Sequence, residues 1–430
     1  MRRMRWVAGA MVFGFALASV TAEARPGRQP HTPREPRQPR GPRKPPAPPP
    51  DEARRTPNTL MEAAGAVALP GRGLTLAWAP DGHGIAVGGR FREKTTRLRY
   101  DTRIVDVDAG AVVKSYACHY FWVVATAWTN NPYLGEVIAD GGGDHAVKLW
   151  DANGPGSTGC APGQMRTDDG GLKQLPQIDG WITSLAFSPD GRWLAGVSRD
   201  RTVRVWQIEP GPNQFRVVAL WFDRYAGNFL SVAWSPDGRA VVTGDRKGRV
   251  AVWDLDLDQD RWDAGTIAAF AKVSYAGQST WFGDNPTLVT RTPRWMESGR
   301  GVVWSVDWSP DGTSVASAGT DGTVSVHDAG DGSVRFRATA PRKTAFHAVD
   351  WHPDGHVIAA GAADDRIYLF DAADGAIADV VEGSGDLVTA VAWSPDGRTL
   401  ASTAGGPLLS LALLESTVGP DMNVRLWRWK

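Results

Sequence analysis

The sequence predicts an all-β protein, a seven-bladed β-propeller whose blades are four-stranded antiparallel sheets. Two recurring patterns indicate this fold: a tight-turn motif of the form Ser-Pro-Asp-Gly, and an alternating strand that ends in an aromatic residue. The last three copies of the turn motif lie 43 and 42 residues apart, which is the period of one propeller blade. Seven copies therefore predict seven blades.

The turn motif joins the first two strands of each predicted blade. Proline presets φ, aspartate caps the turn through its side chain and glycine supplies a positive φ, so each copy predicts a hairpin. Six clear copies contain Pro80, Pro189, Pro236, Pro310, Pro353 and Pro395. A weaker seventh copy reads Ala127-Trp128-Thr129-Asn130-Asn131-Pro132.

The second pattern predicts the third strand of each blade, because its apolar residues alternate with period two. Its aromatic position holds Trp150, Trp206, Trp253, His327, Phe370 and Trp427. An aspartate six positions earlier is expected to close the preceding turn in five blades: Asp144, Asp200, Asp321, Asp364 and Asp421. The fourth blade has Lys247 there, and the degenerate first blade offers Asp101 ahead of Val107.

The two patterns together resemble the WD-repeat family over about residues 59–430. The resemblance implies a binding scaffold whose contact surface is formed by the interblade loops and the turns before each third strand. The chain lacks the Gly-His pair that usually precedes each first strand in that family. We therefore expect its buried Asp-His-Ser/Thr-Trp network to be incomplete in most blades.

The ends of the chain predict how the ring closes. The last repeat stops at Trp427-Arg428-Trp429-Lys430, on a third strand, so another segment must supply the fourth. The apolar residues 59–69 precede the first hairpin, and we expect them to pair into the last blade and remove two free sheet edges.

Four insertions interrupt the period, at residues 90–100, 154–171, about 257–300 and 405–420. The longest contains Trp281, Phe282, Arg294 and Trp295, which suit a partner contact, although loop decoration is equally compatible.

The N-terminal 24 residues have the pattern of a secretory signal: Arg2, Arg3 and Arg5, an apolar run and small residues before Ala24. The apolar run has about 13 residues, short of the roughly 20 that a spanning helix needs, so we expect cleavage after Ala24 or Ala22 rather than a permanent anchor. The sequence thus predicts an exported protein, periplasmic or secreted.

Residues 25–58 form a linker rich in proline and arginine, which favours an extended polyproline conformation. It is a solvated spacer or, alternatively, a basic arm that contacts anionic envelope polymers or lipid headgroups. The net charge of the chain is zero, but the first 55 residues hold 12 basic and 4 acidic side chains. The remainder is mildly acidic, which argues against a nucleic-acid partner.

No nucleophile elbow, zinc-binding helix, phosphate loop or Cys-x-x-Cys pair occurs in the sequence. Turn positions account for nearly all aspartates, the histidines share no ligand spacing, and His327 is expected in the interblade core. We therefore expect no catalytic residue, metal or cofactor, and a non-catalytic scaffold for an unidentified protein partner.

Two other functions remain open. One is a hydrolase or lyase in the central channel, which is disfavoured because the starts of the first strands are apolar or hydroxylic: Leu74-Thr75, Ile182-Thr183, Leu230-Ser231 and Val388-Thr389. The other is glycan binding through tryptophans that the repeat does not explain: Trp181, Trp193, Trp221, Trp281 and Trp295.

Export would permit a disulfide between the two cysteines, Cys118 and Cys160. The repeat register places Cys118 in a loop on one face and Cys160 in an insertion that leaves the other, which argues against a bridge, although the insertion is long enough to defeat this argument. On the predicted contact face, aromatic and arginine residues are the types that carry interface energy. The predicted partner-binding residues are His119, Tyr120, Trp181, Arg199, Arg224, Tyr225, Arg246 and Arg342.

Overall fold

The computed structural model describes residues 60–92, 98–156, 173–175, 178, 180–208, 216–222, 228–255, 293–297, 299, 301–383, 385–405 and 422–430. In these ranges 28 strands form seven four-stranded antiparallel sheets. The predicted seven-bladed β-propeller is confirmed. Each blade is a meander in which the first strand lies innermost, at the central channel, and the fourth outermost.

The strands of the first three blades follow the chain in order. Blade one contains β2 (Gly71–Trp78), β3 (Gly84–Arg92), β4 (Leu98–Asp106) and β5 (Ala111–His119). Blade two contains β6 (Val123–Asn131), β7 (Gly135–Gly142), β8 (Val147–Asp151) and β9 (Lys173–Gln174). Blade three contains β10 (Ile182–Phe187), β11 (Trp193–Ser198), β12 (Thr202–Gln207) and β13 (Arg216–Phe222).

Blades four to six repeat this order, and blade seven takes its fourth strand from the N-terminal part of the chain. Blade four contains β14 (Phe229–Trp234), β15 (Ala240–Asp245), β16 (Arg249–Asp254) and β17 (Arg294–Glu297). Blade five contains β18 (Val303–Trp308), β19 (Ser314–Gly319), β20 (Thr323–Asp328) and β21 (Val334–Thr339). Blade six contains β22 (Phe346–Trp351), β23 (Val357–Ala362), β24 (Arg366–Asp371) and β25 (Ile377–Glu382). Blade seven contains β26 (Val388–Trp393), β27 (Thr399–Ala404), β28 (Asn423–Trp429) and the N-terminal β1 (Met61–Ala68).

The Ser-Pro-Asp-Gly turns form the hairpins that the motif predicts. In blade three, Ser188 Oγ donates to Asp190 Oδ1 at 2.5 Å and accepts the N–H of Trp193 at 3.0 Å. Gly191 has a φ of 69°, which an L side chain rarely adopts. Ser235, Ser309 and Ser394 repeat the hydroxyl-to-aspartate bond in blades four, five and seven.

The turns before the third strands follow the predicted register, with two corrections. In blade four, Asp245 replaces the missing turn aspartate and accepts the N–H groups of Lys247 and Arg249. In blade one, the prediction of Asp101 ahead of Val107 was wrong by two residues. Val105 holds the aromatic position opposite Ile85, and Asp101 is buried inside β4, where it pairs with Arg103.

The hydrogen-bond network around the third-strand tryptophans is incomplete, as expected. Trp253 donates to Thr243 Oγ1 at 2.9 Å, and Trp427 donates to Ser402 Oγ at 3.1 Å. In blades two and three the indole N–H groups have no hydrogen-bond partner within the described ranges: Trp150 and Trp206. The remaining blades have other residues at this position: Val105, His327 and Phe370.

Ring closure occurs as the sequence predicts. Strand β1 pairs antiparallel with β28, and Met61, which is fully buried, lies opposite Trp429. Asp379 of blade six accepts the N–H groups of Leu60 at 2.8 Å and Met61 at 3.2 Å. The N-terminal strand is therefore held both by its own blade and by the neighbouring one.

The hydrophobic core lies between adjacent blades. One cluster joins Trp193 and Val203 of blade three to Phe229 and Trp253 of blade four, and similar clusters recur between the other blades. His327 is fully buried, as expected. Burial lowers the pKa of its imidazole.

The insertions contribute in part to the blades. Residues 90–92 and 98–100 lengthen β3 and β4, while Arg294 and Trp295 belong to β17, the outermost strand of blade four. Trp281 and Phe282 lie outside the described residues. In the described part of the chain, we find no helix with the length and apolar content needed to cross a membrane.

The register argument against a disulfide was wrong. Cys118, near the end of β5, is disulfide-bonded. The only other cysteine in the sequence is Cys160, which lies outside the described residues.

Candidate functional site

The seven inner strands surround a cavity of about 190 Å³ in the central channel, and all seven contribute to its wall. Apolar and hydroxylic side chains form part of this wall, as predicted: Leu74, Thr75, Thr183, Leu230, Ser231 and Thr389. Ile182 and Val388, which the prediction also placed there, instead pack inside the hydrophobic clusters between blades.

Aromatic side chains, one arginine and one histidine form another part of the wall. We call Trp122, Trp181, Arg199, Trp304 and His347 the mouth cluster, since all five line the cavity. Trp122 and Trp181 come from interblade loops, and Arg199 from the turn before a third strand. These are the chain segments of the predicted contact face, which we call the mouth face.

Stacking orders one side of the mouth cluster. The guanidinium of Arg199 lies 4.1 Å from the ring centre of Trp181. Phe121 packs between Trp181, at 5.2 Å, and Trp122, at 5.7 Å between ring centres. These contacts restrict the rotamers of the aromatic side chains, so the surface is organised before a partner binds.

Three polar atoms of the mouth cluster are buried and have no hydrogen-bond partner within the described ranges: Arg199 Nε, Trp304 Nε1 and His347 Nδ1. Burial and then the nearby charge of Arg246 lower the pKa of Arg199. Burial lowers the pKa of His347 to about 4, so its imidazole is neutral at pH 7. Unsatisfied buried donors are rare in folded proteins and commonly mark functional positions.

The predicted partner-binding residues divide into four groups. Trp181 and Arg199 meet in the mouth cluster, and Arg246 lies close enough to Arg199 to affect its pKa. Arg246, Tyr120 and Arg342 are exposed on loops or turns of the mouth face. Arg224 and Tyr225 lie outside the described residues. His119 requires a correction.

The side chain of His119 is completely buried and therefore does not reach a partner. Its Nε2 lies 2.9 Å from Asp140 Oδ1, and its Nδ1 lies 2.9 Å from the carboxylate of Asp144. Burial disfavours the charged imidazolium, but the charge and hydrogen bond of Asp140, together with Asp144, outweigh burial and raise the pKa of His119. The ring thus joins blade one to blade two.

Trp122, Trp304 and His347 were not predicted as site residues from the sequence. Trp304 and His347 occupy the inner-strand position that Leu74 and Leu230 occupy in other blades, so an alignment of all seven repeats would have revealed them. Their rings are 5.5 Å apart.

Two carboxylates on the inner strands were also not predicted as site residues. Asp307 and Asp350 follow the cavity residues Ser305 and Ala348 by two positions, so alternation places them on the same side of their strands, although neither lines the cavity itself. Burial raises the pKa of Asp307 to about 7, and burial with the charge of Asp307 raises that of Asp350 well above its usual range. Other blades have alanine here: Ala77, Ala127, Ala186, Ala233 and Ala392.

These two carboxylates already have a structural role. Asp307 Oδ2 accepts the N–H of Trp351 at 2.7 Å, and Asp350 Oδ2 accepts the N–H of Trp393 at 2.7 Å, so each links its blade to the next. No group of three or more metal-ligating side chains that could hold an ion occurs among the residues described by the structure.

Tryptophans left unexplained by the repeat are fewer than expected. Trp193 is buried, whereas Trp295 is 39% exposed and stacks with Arg249 at 4.3 Å. Trp221 lies in β13, and Trp281 lies outside the described residues. Trp181 and Trp295 thus remain as candidates for recognition.

Comparison with protein families matches five of the blades. The profile described as "WD domain, G-beta repeat" matches residues 172–207, 224–254, 294–328 and 377–428. The profile of the anaphase-promoting complex subunit 4 WD40 domain matches residues 336–396. These segments contain the inner strands of blades three to seven.

Curated relatives match short stretches of the chain. The nuclear distribution protein PAC1 of Tuber melanosporum (strain Mel28) is 40% identical over 73 residues, which are 17% of this chain and 13% of the relative. The nuclear distribution protein PAC1-2 of Uncinocarpus reesii (strain UAMH 1704) is 37% identical over 76 residues, 18% of this chain and 13% of the relative.

The chain thus spans about an eighth of the length of these relatives. The repeat pattern, the seven observed blades and the family profiles agree with one another. The chain belongs to the WD-repeat family of β-propeller proteins.

Proposed function

We propose that this propeller is an exported, non-catalytic scaffold that binds a protein partner through its mouth face. The mouth cluster is the observation that carries the proposal. It combines stacked aromatic rings, an arginine and unsatisfied donors at one opening of the channel. Tryptophan and arginine are the residues that most often dominate the energy of protein interfaces.

The geometry gives less support to an enzyme. Asp307 and Asp350 are carboxylates on neighbouring inner strands, but neither lines the cavity, and each already accepts a backbone N–H from the next blade. A general acid and base need a substrate within hydrogen-bond reach, whereas these groups link blades.

The sequence and the cysteine chemistry support export. Residues 1–24 have the signal-peptide pattern, and disulfides such as the one at Cys118 persist in oxidising compartments. In this proposal residues 25–58 act as a spacer, and their arginines add weak contacts to an anionic envelope surface.

The test is capture of a partner from the native envelope fraction by the mature protein. We expect a discrete protein that the triple variant Trp181→Ala, Arg199→Ala, Arg246→Ala fails to retain. The matched control is Trp295→Ala, Arg398→Ala: Trp295 lies on an outermost strand, and Arg398 lies on a Pro-Asp-Gly turn, away from the mouth face. Both variants must melt within a few degrees of the parent.

Equal loss of the partner by both variants would contradict the proposal that the mouth face is the binding surface. Capture of polysaccharide instead of protein, lost with Trp295→Ala, would favour glycan binding through the exposed outer tryptophan.

A further inference from the structure

We infer that the cavity beside the mouth cluster binds an acidic side chain, aspartate or glutamate, presented by a peptide segment of the partner. This inference rests on the proposed function, because it names the chemistry that the mouth face recognises. Charge, donor geometry and cavity size support it.

Two arginines at the mouth, Arg199 and Arg246, lie close to one another. The charge of Arg246 lowers the pKa of Arg199, and within the described ranges neither arginine pairs with a carboxylate. Arg199 is half-buried, and its guanidinium rests on the face of Trp181 instead of on an anion. Two like charges at a partly buried position favour an incoming anion.

The unsatisfied atoms at the cavity match a carboxylate. Arg199 Nε and Trp304 Nε1 are hydrogen-bond donors with no acceptor among the described residues, and they belong to different blades on the wall of one cavity. A carboxylate has two oxygens and can accept from both a guanidinium and a neutral donor. His347 is neutral at pH 7, so it adds a third polar contact without further charge.

The volume of the cavity and the residues of its wall limit the size and charge of a ligand. A volume of about 190 Å³ suits one or two side chains rather than an oligosaccharide. Leu74, Leu230 and Trp122 supply apolar walls for the methylene groups of such a side chain. A doubly charged phosphate would place more charge against this apolar wall than one half-buried arginine balances.

The experiment uses the full mature chain and capped nonapeptide libraries with degenerate flanks. The central residue is fixed as glutamate, glutamine, lysine or phosphoserine, and one further library has central glutamine and a free C-terminal carboxylate. Binding is measured by tryptophan fluorescence and calorimetry. We expect the glutamate library to bind at least tenfold more tightly than each of the others.

Two variants test the assigned atoms. Arg199→Met keeps the apolar stem over Trp181 but removes the charge, and should abolish the preference for glutamate over glutamine. Trp304→Phe removes one donor and should weaken glutamate binding several-fold. The control is Trp308→Phe, which also removes an unpartnered buried indole N–H but lies outside the cavity wall, and should leave peptide affinity unchanged.

Equal binding of glutamate and glutamine, preference for lysine, phosphoserine or the free C-terminus, or no binding of any library would overturn the inference. The two proposals fail separately. If the triple variant loses the partner while no library binds, partner binding through the mouth face is supported and recognition of a carboxylate side chain is rejected. If the glutamate library binds but the triple variant retains the partner as well as the parent does, the scaffold proposal is rejected.

Discussion

Individual residues on the inner strands make the stability of the propeller depend on pH. Burial raises the pKa of Asp307 to about 7, so the folded protein holds a proton that the unfolded chain releases near pH 4. This contribution to stability is complete below about pH 4 and is lost as pH rises through about 7. Asp350 acts in the same direction.

We therefore expect Asp307→Asn to be more stable than the parent at pH 8, by on the order of 1 kcal/mol in the free energy of unfolding. The amide stays neutral, and its oxygen still accepts the N–H of Trp351. Urea unfolding at pH 5 and pH 8 measures the effect, which should be smaller at pH 5. Asp311→Asn is the control, an exposed turn carboxylate whose pKa is lowered by Ser309. A larger gain at pH 5 than at pH 8 would contradict this account.

His119 is the second residue that makes the stability of the fold depend on pH. Its pKa is raised, so its contribution is present below about pH 6.5 and is lost as pH rises through the folded-state value. Replacing it leaves two buried carboxylates, Asp140 and Asp144, without their shared partner.

We expect His119→Gln to cost about 3 kcal/mol of unfolding free energy at pH 6, measured by urea denaturation. His83→Gln is the matched control, because His83 also pairs with an aspartate, Asp108, but both side chains are largely exposed. It should have no measurable effect. Similar losses for both variants would argue against the buried network.

At the scale of the element, the N-terminal strand decides whether the ring is closed. Strand β1 has exposed residues along most of its length, and its anchor is the buried Met61. Asp379, itself buried, accepts the two N–H groups at the start of this strand. One carboxylate thus joins the last blade to its neighbour across 318 residues of sequence.

We expect Asp379→Ala to cost about 1 to 3 kcal/mol of unfolding free energy, because it leaves the two amides without acceptors. Hydrogen exchange should show faster exchange at Met61 and along β28 than in blades three and four. Asp374→Ala, in an exposed turn of the same blade, is the control. Uniform faster exchange in all blades would contradict a local role in closure.

At the scale of the whole molecule, the disulfide at Cys118 restrains the chain. A bridge to Cys160 closes a loop of about 42 residues, and a loop of this length is worth roughly 2 to 4 kcal/mol through the entropy of the unfolded chain. We expect a reducing agent to lower the melting temperature of the parent and to leave Cys118→Ser, Cys160→Ser unaffected. Two free thiols in the unreduced, unfolded protein would contradict the bridge.

The fold was predictable because its determinants are local. Pro-Asp-Gly turns need particular φ values and occur in six clear copies, and third strands need alternation and recur in six copies that share an aromatic or histidine position. In blade one the repeat is degenerate, and the predicted register of the third strand was wrong by two residues. The cause is that Val105 occupies the aromatic position, so no aromatic residue or turn motif marks it.

The candidate site was predictable only in part. Trp181 and Arg199 were identified because they lie in segments that the repeat places on one face. Trp304 and His347 were missed, and His119 was assigned to the surface, because sequence register gives the position of a residue but not the direction or burial of its side chain.

The sequence by itself determined the class of fold, the number of blades and the segment that closes the ring, because turn geometry and strand periodicity act between near neighbours. Only the tertiary structure decided which residues meet at the channel. The inner strands of seven blades converge there from distant parts of the chain. The stacking of Arg199 on Trp181, the polar atoms of Trp304 and His347 that have no partner in the described ranges, and the raised pKa of Asp307 therefore depend on burial and on distances between blades.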